Sequence, residues 1–164
     1  LAPEIADQDG FVESRRGTVS VFDGPEPDIH LFESPEEEIE AVGRWLKRCV
    51  DGGIKAAELA VIVRDEGQLA RARSAVRAAG ADIPVIPMHD AKGLEYRACA
   101  VMAVDEDVLP DPERLEGVGD LADLEALQDA ERHLLYVACT RARDRQWVSG
   151  IGPGSEFLDD LRMR

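Results

Sequence analysis

Apolar and polar positions change period repeatedly along the chain, and each change marks an element. Thr18–Phe22 and Ile29–Phe32 are short β-type runs separated by the turn-rich stretch Asp23-Gly24-Pro25-Glu26-Pro27. Ser34-Pro35-Glu36-Glu37-Glu38 then predicts a helix start: a serine to cap, a proline suited to the first position, and acids at the positive end of the dipole. Ile39, Val42, Leu46 and Val50 keep one face apolar until Gly52-Gly53 stops the helix. Leu59–Val63 is a continuous apolar strand, after which Asp65 caps a second helix carrying Leu69, Ala72, Val76 and Ala79 up to Gly80. Ile83–Pro87 is a short strand followed by a loop over His89–Tyr96, and Ala98–Val104 has the unbroken apolar character of a strand buried on both faces. An acidic loop over Asp105–Asp120 precedes a long helix from about Leu121 to Ala142, with Leu124, Leu127, Leu134 and Ala138 as its core stripe. The strand Gln146–Ser149 and a short amphipathic tail through Phe157 and Leu161 complete the pattern. Strands alternating with helices predict an α/β fold with a mainly parallel sheet. The polar, aperiodic residues 1–16, ending in Glu13-Ser14-Arg15-Arg16, are expected to form a loose lead-in to a single domain over 17–164.

The chain has 164 residues, room for one compact domain, and 45% of them are apolar, the globular norm. Net charge is −15, from 34 acidic and 19 basic side chains, which argues against a free-standing non-specific nucleic-acid coat. Only Lys47, Lys55 and Lys92 are lysines and none follows a glycine, so there is no G-x-x-x-x-G-K-[ST] phosphate loop and no self-sufficient P-loop ATPase. The longest apolar run is far short of the roughly 20 residues of a membrane helix, so no membrane association is expected. Three cysteines with no C-x-x-C and three isolated histidines favour neither a disulfide framework nor a metal site. A reducing, cytoplasmic setting is the expectation, and the missing initiator methionine points to a piece of a longer polypeptide. The acids concentrate in two segments, eight over residues 23–40 and eleven over residues 105–131. These read as solvated faces, with a partner-docking surface as the alternative.

Open α/β sheets bind ligands at the carboxyl ends of their strands. Two segments are candidates for that place: Met88-His89-Asp90-Ala91-Lys92-Gly93-Leu94-Glu95-Tyr96 and Thr140-Arg141-Ala142-Arg143. Continued at helical pitch, Arg141 lies only about 20° from Leu134 on the apolar stripe, while Arg132 and Arg143 fall on the opposite face. Arg141 is then either a snorkelling side chain that meets the last carbonyls of its helix, or a cation held at a cleft for an anion such as phosphate. Gly93 allows a close backbone approach. His89 suits donation to a phosphate or capping of its loop, and Glu95 suits a ligand hydroxyl or a pair with Lys92 or Arg97. Gly150-Ile151-Gly152-Pro153-Gly154 is too incomplete a glycine signature for a dinucleotide site.

Taken together, the two segments resemble motifs of the UvrD/Rep-type superfamily 1 DNA helicases. Residues 87–96, with the strand after them and Val108-Leu109-Pro110, look like motif V; Glu131 to Arg143, containing Tyr136-Val137-Ala138-Cys139-Thr140-Arg141-Ala142, looks like motif VI. The resemblance implies a three-layer RecA-like domain without its own P-loop, the second motor lobe of an ATP-dependent helicase involved in DNA repair. It implies that ATP and magnesium are held chiefly by an N-terminal RecA-like lobe of the same polypeptide, which carries the metal ligands. On this chain the resemblance places Arg141 at the γ-phosphate, Glu95 near the nucleotide sugar with Gly93 beside it, and His89 on the single-stranded DNA track. Where many members have a phosphate-binding threonine, this chain has Pro87, which leaves DNA contact there to the backbone or His89. The isolated lobe is expected to be inactive. A non-catalytic interaction module that docks a protein partner through its acidic segments is the alternative, and an unrelated α/β small-ligand binder a third.

Overall fold

The computed structural model describes residues 24–163 together with the short strands β1 (Ile5–Ala6) and β2 (Val12–Glu13), which pair antiparallel. The strand expected over Thr18–Phe22 and the rest of the lead-in lie outside the described residues. The body is a sheet of five strands, β3 (Pro27–Phe32), β4 (Leu59–Val63), β5 (Val85–Pro87), β6 (Tyr96–Val101) and β7 (Ala142–Ile151). Their spatial order is β3-β7-β6-β4-β5 and every pairing is parallel.

Alternation along the central strands explains the layers. Leu59, Val61 and Val63 point to one face with Ala98 and Ala100, where α1 (Pro35–Asp51) and α2 (Leu69–Ala79) cover them with Val42, Trp45, Leu46, Ala72 and Ala75. Ala60 and Ile62 point the other way with Cys99 and Val101, against Leu135, Ala138 and Cys139 of α4 (Leu121–Cys139) and Leu158 and Leu161 of α5 (Leu158–Arg162). Both faces are covered, so the strands read as apolar runs rather than alternating ones. Ser34 accepts a hydrogen bond from the Glu37 amide and starts α1, as its pattern predicts, and Gly80 ends α2 in the left-handed conformation at φ +70°.

Several features differ from the sequence expectation, among them β6, which spans Tyr96–Val101 rather than Ala98–Val104, and β5, which spans Val85–Pro87 rather than Ile83–Pro87. The long helix stops at Cys139 rather than Ala142, and β7 spans Ala142–Ile151 rather than Gln146–Ser149. Arg143 therefore lies on a strand and Arg141 in the joint before it, so extending the helical wheel to either residue does not apply. The buried stripe of α4 runs through Leu127, Glu131, Leu135 and Ala138, while Leu124 and Leu134 are only half-buried. The acidic loop also holds a one-turn helix, α3 (Pro112–Glu116), capped by Asp111.

Candidate functional site

Helix α4 closes with the Thr140 amide donating to the Tyr136 and Val137 carbonyls, and two residues later β7 begins. Tyr96 pairs with Ala142, and the Tyr96 amide donates to the Arg141 carbonyl at 2.9 Å. That register brings the loop before β6 against the joint before β7. The Arg141 guanidinium reaches across it: Nη1 donates to the Leu94 carbonyl at 3.2 Å, Nε to the Val137 carbonyl at 3.0 Å, and Nη2 to Thr140 Oγ1 at 2.9 Å. Gly93 stands beside this contact at φ +80°, exposed, with nothing within 4 Å of where a Cβ would be, so its backbone faces open space. Glu95 is exposed on the same loop, close enough for its charge to be felt by Arg143. Gly93, Glu95 and Arg141 are thus brought together, at the amino ends of β6 and β7. The expected place, the carboxyl ends of the strands, is incorrect for this group, because α4 returns the chain to the opposite edge before Arg141 appears.

The joint combines both readings of Arg141. Its Nε does meet a terminal helix carbonyl, as a snorkelling arginine would, yet the head lies on the rim rather than in the core. Its hydrogen-bond partners among the described residues are two carbonyls and a hydroxyl, all neutral. Neighbouring cations are compensated: Asp144 accepts from Arg97 Nε at 3.0 Å and Arg143 Nε at 3.1 Å, and these two bonds hold its carboxyl below the usual range. A guanidinium has five N–H groups, so Arg141 keeps one on each terminal nitrogen and a charge that no hydrogen-bonded carboxylate among the described residues offsets. Cys99, underneath, is no nucleophile: burial pushes its thiol up to about 12.

His89 lies elsewhere. It sits in a single 3-10 turn, Met88–Asp90, directly after β5, half-exposed, with Nε2 3.7 Å from Glu66 and 3.6 Å from Asp90. Pro87 is level with Val63 at the end of β4, whereas the loop residues Gly93–Glu95 precede β6, whose Ala98 is level with Leu59. The length of β4, about 13 Å at strand rise, separates the two groups. His89 and Arg141 therefore lie at different edges of the sheet.

The carboxyl edge holds a structure that the pattern did not reveal. Arg64, the residue after β4, is 7% exposed and continues the alternation toward α4, where its Nε and Nη2 bond both oxygens of Glu131, 0% exposed, at 2.8 and 2.6 Å. Arg114 and the Asp111 amide bond the same carboxylate from the α3 segment. Burial pushes the Glu131 carboxyl up, but hydrogen bonds from Arg64 and the Asp111 amide, with the charges of Arg64 and Arg114, outweigh it and hold it below the usual range. On the other face Arg71 pairs with buried Glu38 and Asp105, and Glu38 also accepts from Ser149 Oγ and the Ala103 amide, which fixes Ala103 at φ +57°. Solvated faces was thus the wrong reading for these three acids. One signal was available: Glu131 lies four residues from both Leu127 and Leu135, on the core stripe. Among the described residues no cluster of three metal-ligating side chains occurs, and no helix is long and apolar enough to cross a membrane.

Comparison with known proteins bears on both motifs. The UvrD-like helicase C-terminal domain family matches residues 67–151. ATP-dependent DNA helicase UvrD1 of Mycobacterium tuberculosis (strain H37Rv) and of Mycobacterium bovis are each 28% identical over 145 residues, covering 80% of this chain. The chain spans 17% of the length of these relatives. Among solved structures, the C-terminal domain of a possible DNA helicase from Lactobacillus plantarum WCFS1 superposes with a TM-score of 0.61 at 20% identity, over 84% of this chain and 81% of that one.

Proposed function

This chain belongs to the UvrD-like helicase C-terminal domain family, and on that premise we propose that it is the second motor lobe of an ATP-driven DNA translocase, a half-site completed by an N-terminal lobe of the same polypeptide. The observation that carries the reading is Arg141, an arginine on an open rim bonded, among the described residues, only to neutral acceptors, with a donor left on each terminal nitrogen. Such a fork fits a phosphate bidentately, and a fixed cation at a transferring phosphoryl group stabilises the charge that develops there. The open space over Gly93 admits a ligand against the backbone, and the exposed Glu95 carboxylate is free to accept from a sugar hydroxyl. ATP would be held here by Arg141, Glu95 and the Gly93 backbone; bound, it would supply the phosphoryl group whose transfer drives the motor. Glu95 is the single carboxylate in this set, and the magnesium ligands are expected on the other lobe.

His89, at the opposite edge, is the residue of this chain proposed to face single-stranded DNA. Its separation from Arg141 suits two ligands at two edges. Closure of the lobes around nucleotide and reopening afterwards would then shift the grip on DNA, a gating motion of the kind that often limits turnover. A cytoplasmic location goes with this reading. The alternative of an acidic docking module is weakened because Glu38, Asp105 and Glu131 are spent on internal ion pairs.

The test compares the 164-residue chain alone with the same domain joined to a first lobe bearing a P-loop. ATP hydrolysis is expected to be absent from the domain alone and to be present and stimulated by single-stranded DNA in the joined form. Turnover by the domain alone would contradict a half-site.

A further inference from the structure

Arg141 is held by three bonds, and they are not equivalent. Two go to backbone carbonyls, at Val137 and Leu94, which any sequence would offer. The third goes to a side chain, Thr140 Oγ1. That hydroxyl has a single hydrogen, and it is already committed: Thr140 Oγ1 donates to the Val137 carbonyl at 2.8 Å. Its lone pairs are thereby turned toward the guanidinium, so the hydroxyl can only accept from Arg141. The carbonyl that fixes the hydroxyl is the one that receives Arg141 Nε, which closes a ring of Val137, Thr140 and Arg141 at the end of α4.

We propose that Thr140 is a positioning residue for Arg141: its hydroxyl, oriented by the Val137 carbonyl, holds the plane of the guanidinium so that the remaining donors are presented at the rim before nucleotide arrives. This rests on the reading of Arg141 as the phosphate-binding cation. A freely rotating arginine would have to be ordered as the phosphoryl group is transferred, whereas one fixed beforehand carries no such reorganisation. The ring matters little for the fold. The Thr140 amide keeps its bonds to Tyr136 and Val137 whatever the side chain, so the helix end survives loss of the hydroxyl.

Thr140→Val removes the hydroxyl at nearly constant shape and Thr140→Ser retains it. In the isolated domain, nitrogen-detected NMR of the arginine side chains is expected to show slow rotation of the Arg141 guanidinium in the parent and in Thr140→Ser, and rotation about tenfold faster in Thr140→Val. The melting temperature is expected to stay within about 4 °C. In the two-lobed polypeptide, kcat for ATP should fall about tenfold or more in Thr140→Val with KM little changed, and Thr140→Ser should restore it. Thr140→Ala serves as the hydroxyl-free variant if valine crowds the helix end and lowers the melting temperature. Parental turnover in the hydroxyl-free variant, or Thr140→Ser as impaired as Thr140→Val, would overturn the proposal. Full turnover in Arg141→Ala would instead overturn the underlying assignment, and the NMR arm, which needs no nucleotide, tells the two failures apart.

Discussion

Replacing Arg141 by alanine in the two-lobed polypeptide should lower DNA-stimulated ATP hydrolysis by about 10³-fold or more, while ATP affinity changes far less. The asymmetry follows from what this lobe contributes. Most of the binding contacts to a triphosphate are expected from the P-loop lobe, which this chain lacks. The guanidinium matters most when charge on the γ-phosphoryl group is redistributed, so its loss appears in kcat more than in KM. Arg141→Lys should recover only part of the rate: the charge remains, but a single ammonium cannot make the bonds to Leu94, Val137 and Thr140 and also present two parallel donors. Steady-state hydrolysis over a range of ATP concentrations, with and without single-stranded DNA, reads both variants. Unchanged turnover in Arg141→Ala would remove the half-site.

Glu131→Ala should be strongly destabilising. It leaves the Arg64 guanidinium, 7% exposed, without its carboxylate, and leaves the Asp111 amide and Arg114 without the acceptor that ties the α3 segment down. Breaking one half of a buried pair costs about 3–5 kcal/mol, which for a domain of this size lowers the melting temperature by on the order of 10 °C. The same carboxylate gives a pH signature. Its pKa is lowered in the folded state, so the stability it contributes is present above its unfolded value near 4.5 and is lost as pH falls through the folded value. The parent should therefore lose stability on acidification below about pH 4.5 more steeply than Glu131→Ala. Denaturation followed from pH 7 downward checks both parts; a melting temperature within a few degrees of the parent would show that Arg64 has other means of compensation.

Elements were legible in the sequence where a local rule decides them. The Ser34-Pro35 start of α1, the apolar run Leu59–Val63 and the stop at Gly80 all depend on neighbours within a turn, and each stands where the pattern puts it. The end of α4 was not legible because Ala138 to Ala142 favours helix and carries no glycine or proline stop. Pairing of β7 with β6 from Tyr96↔Ala142 onward decides it, and that is a tertiary contact. Of the candidate site, the grouping of three residues was legible and its place was not. Gly93, Glu95 and Arg141 do converge, but the edge of the sheet they occupy depends on α4 running its full length before Arg141, and His89 is left at the other edge. The part proposed for Thr140 was not legible because it is played through Arg141, and the buried acids were not legible because composition counts charges without their partners.

The half-site claim is tested most directly by a structure of both lobes with a non-hydrolysable ATP analogue. The account predicts a terminal nitrogen of Arg141 about 2.7–3.1 Å from a γ-phosphate oxygen, with the bond to Thr140 kept. A γ-phosphate bound by other cations, with the Arg141 fork turned away from the cleft between the lobes, would contradict it.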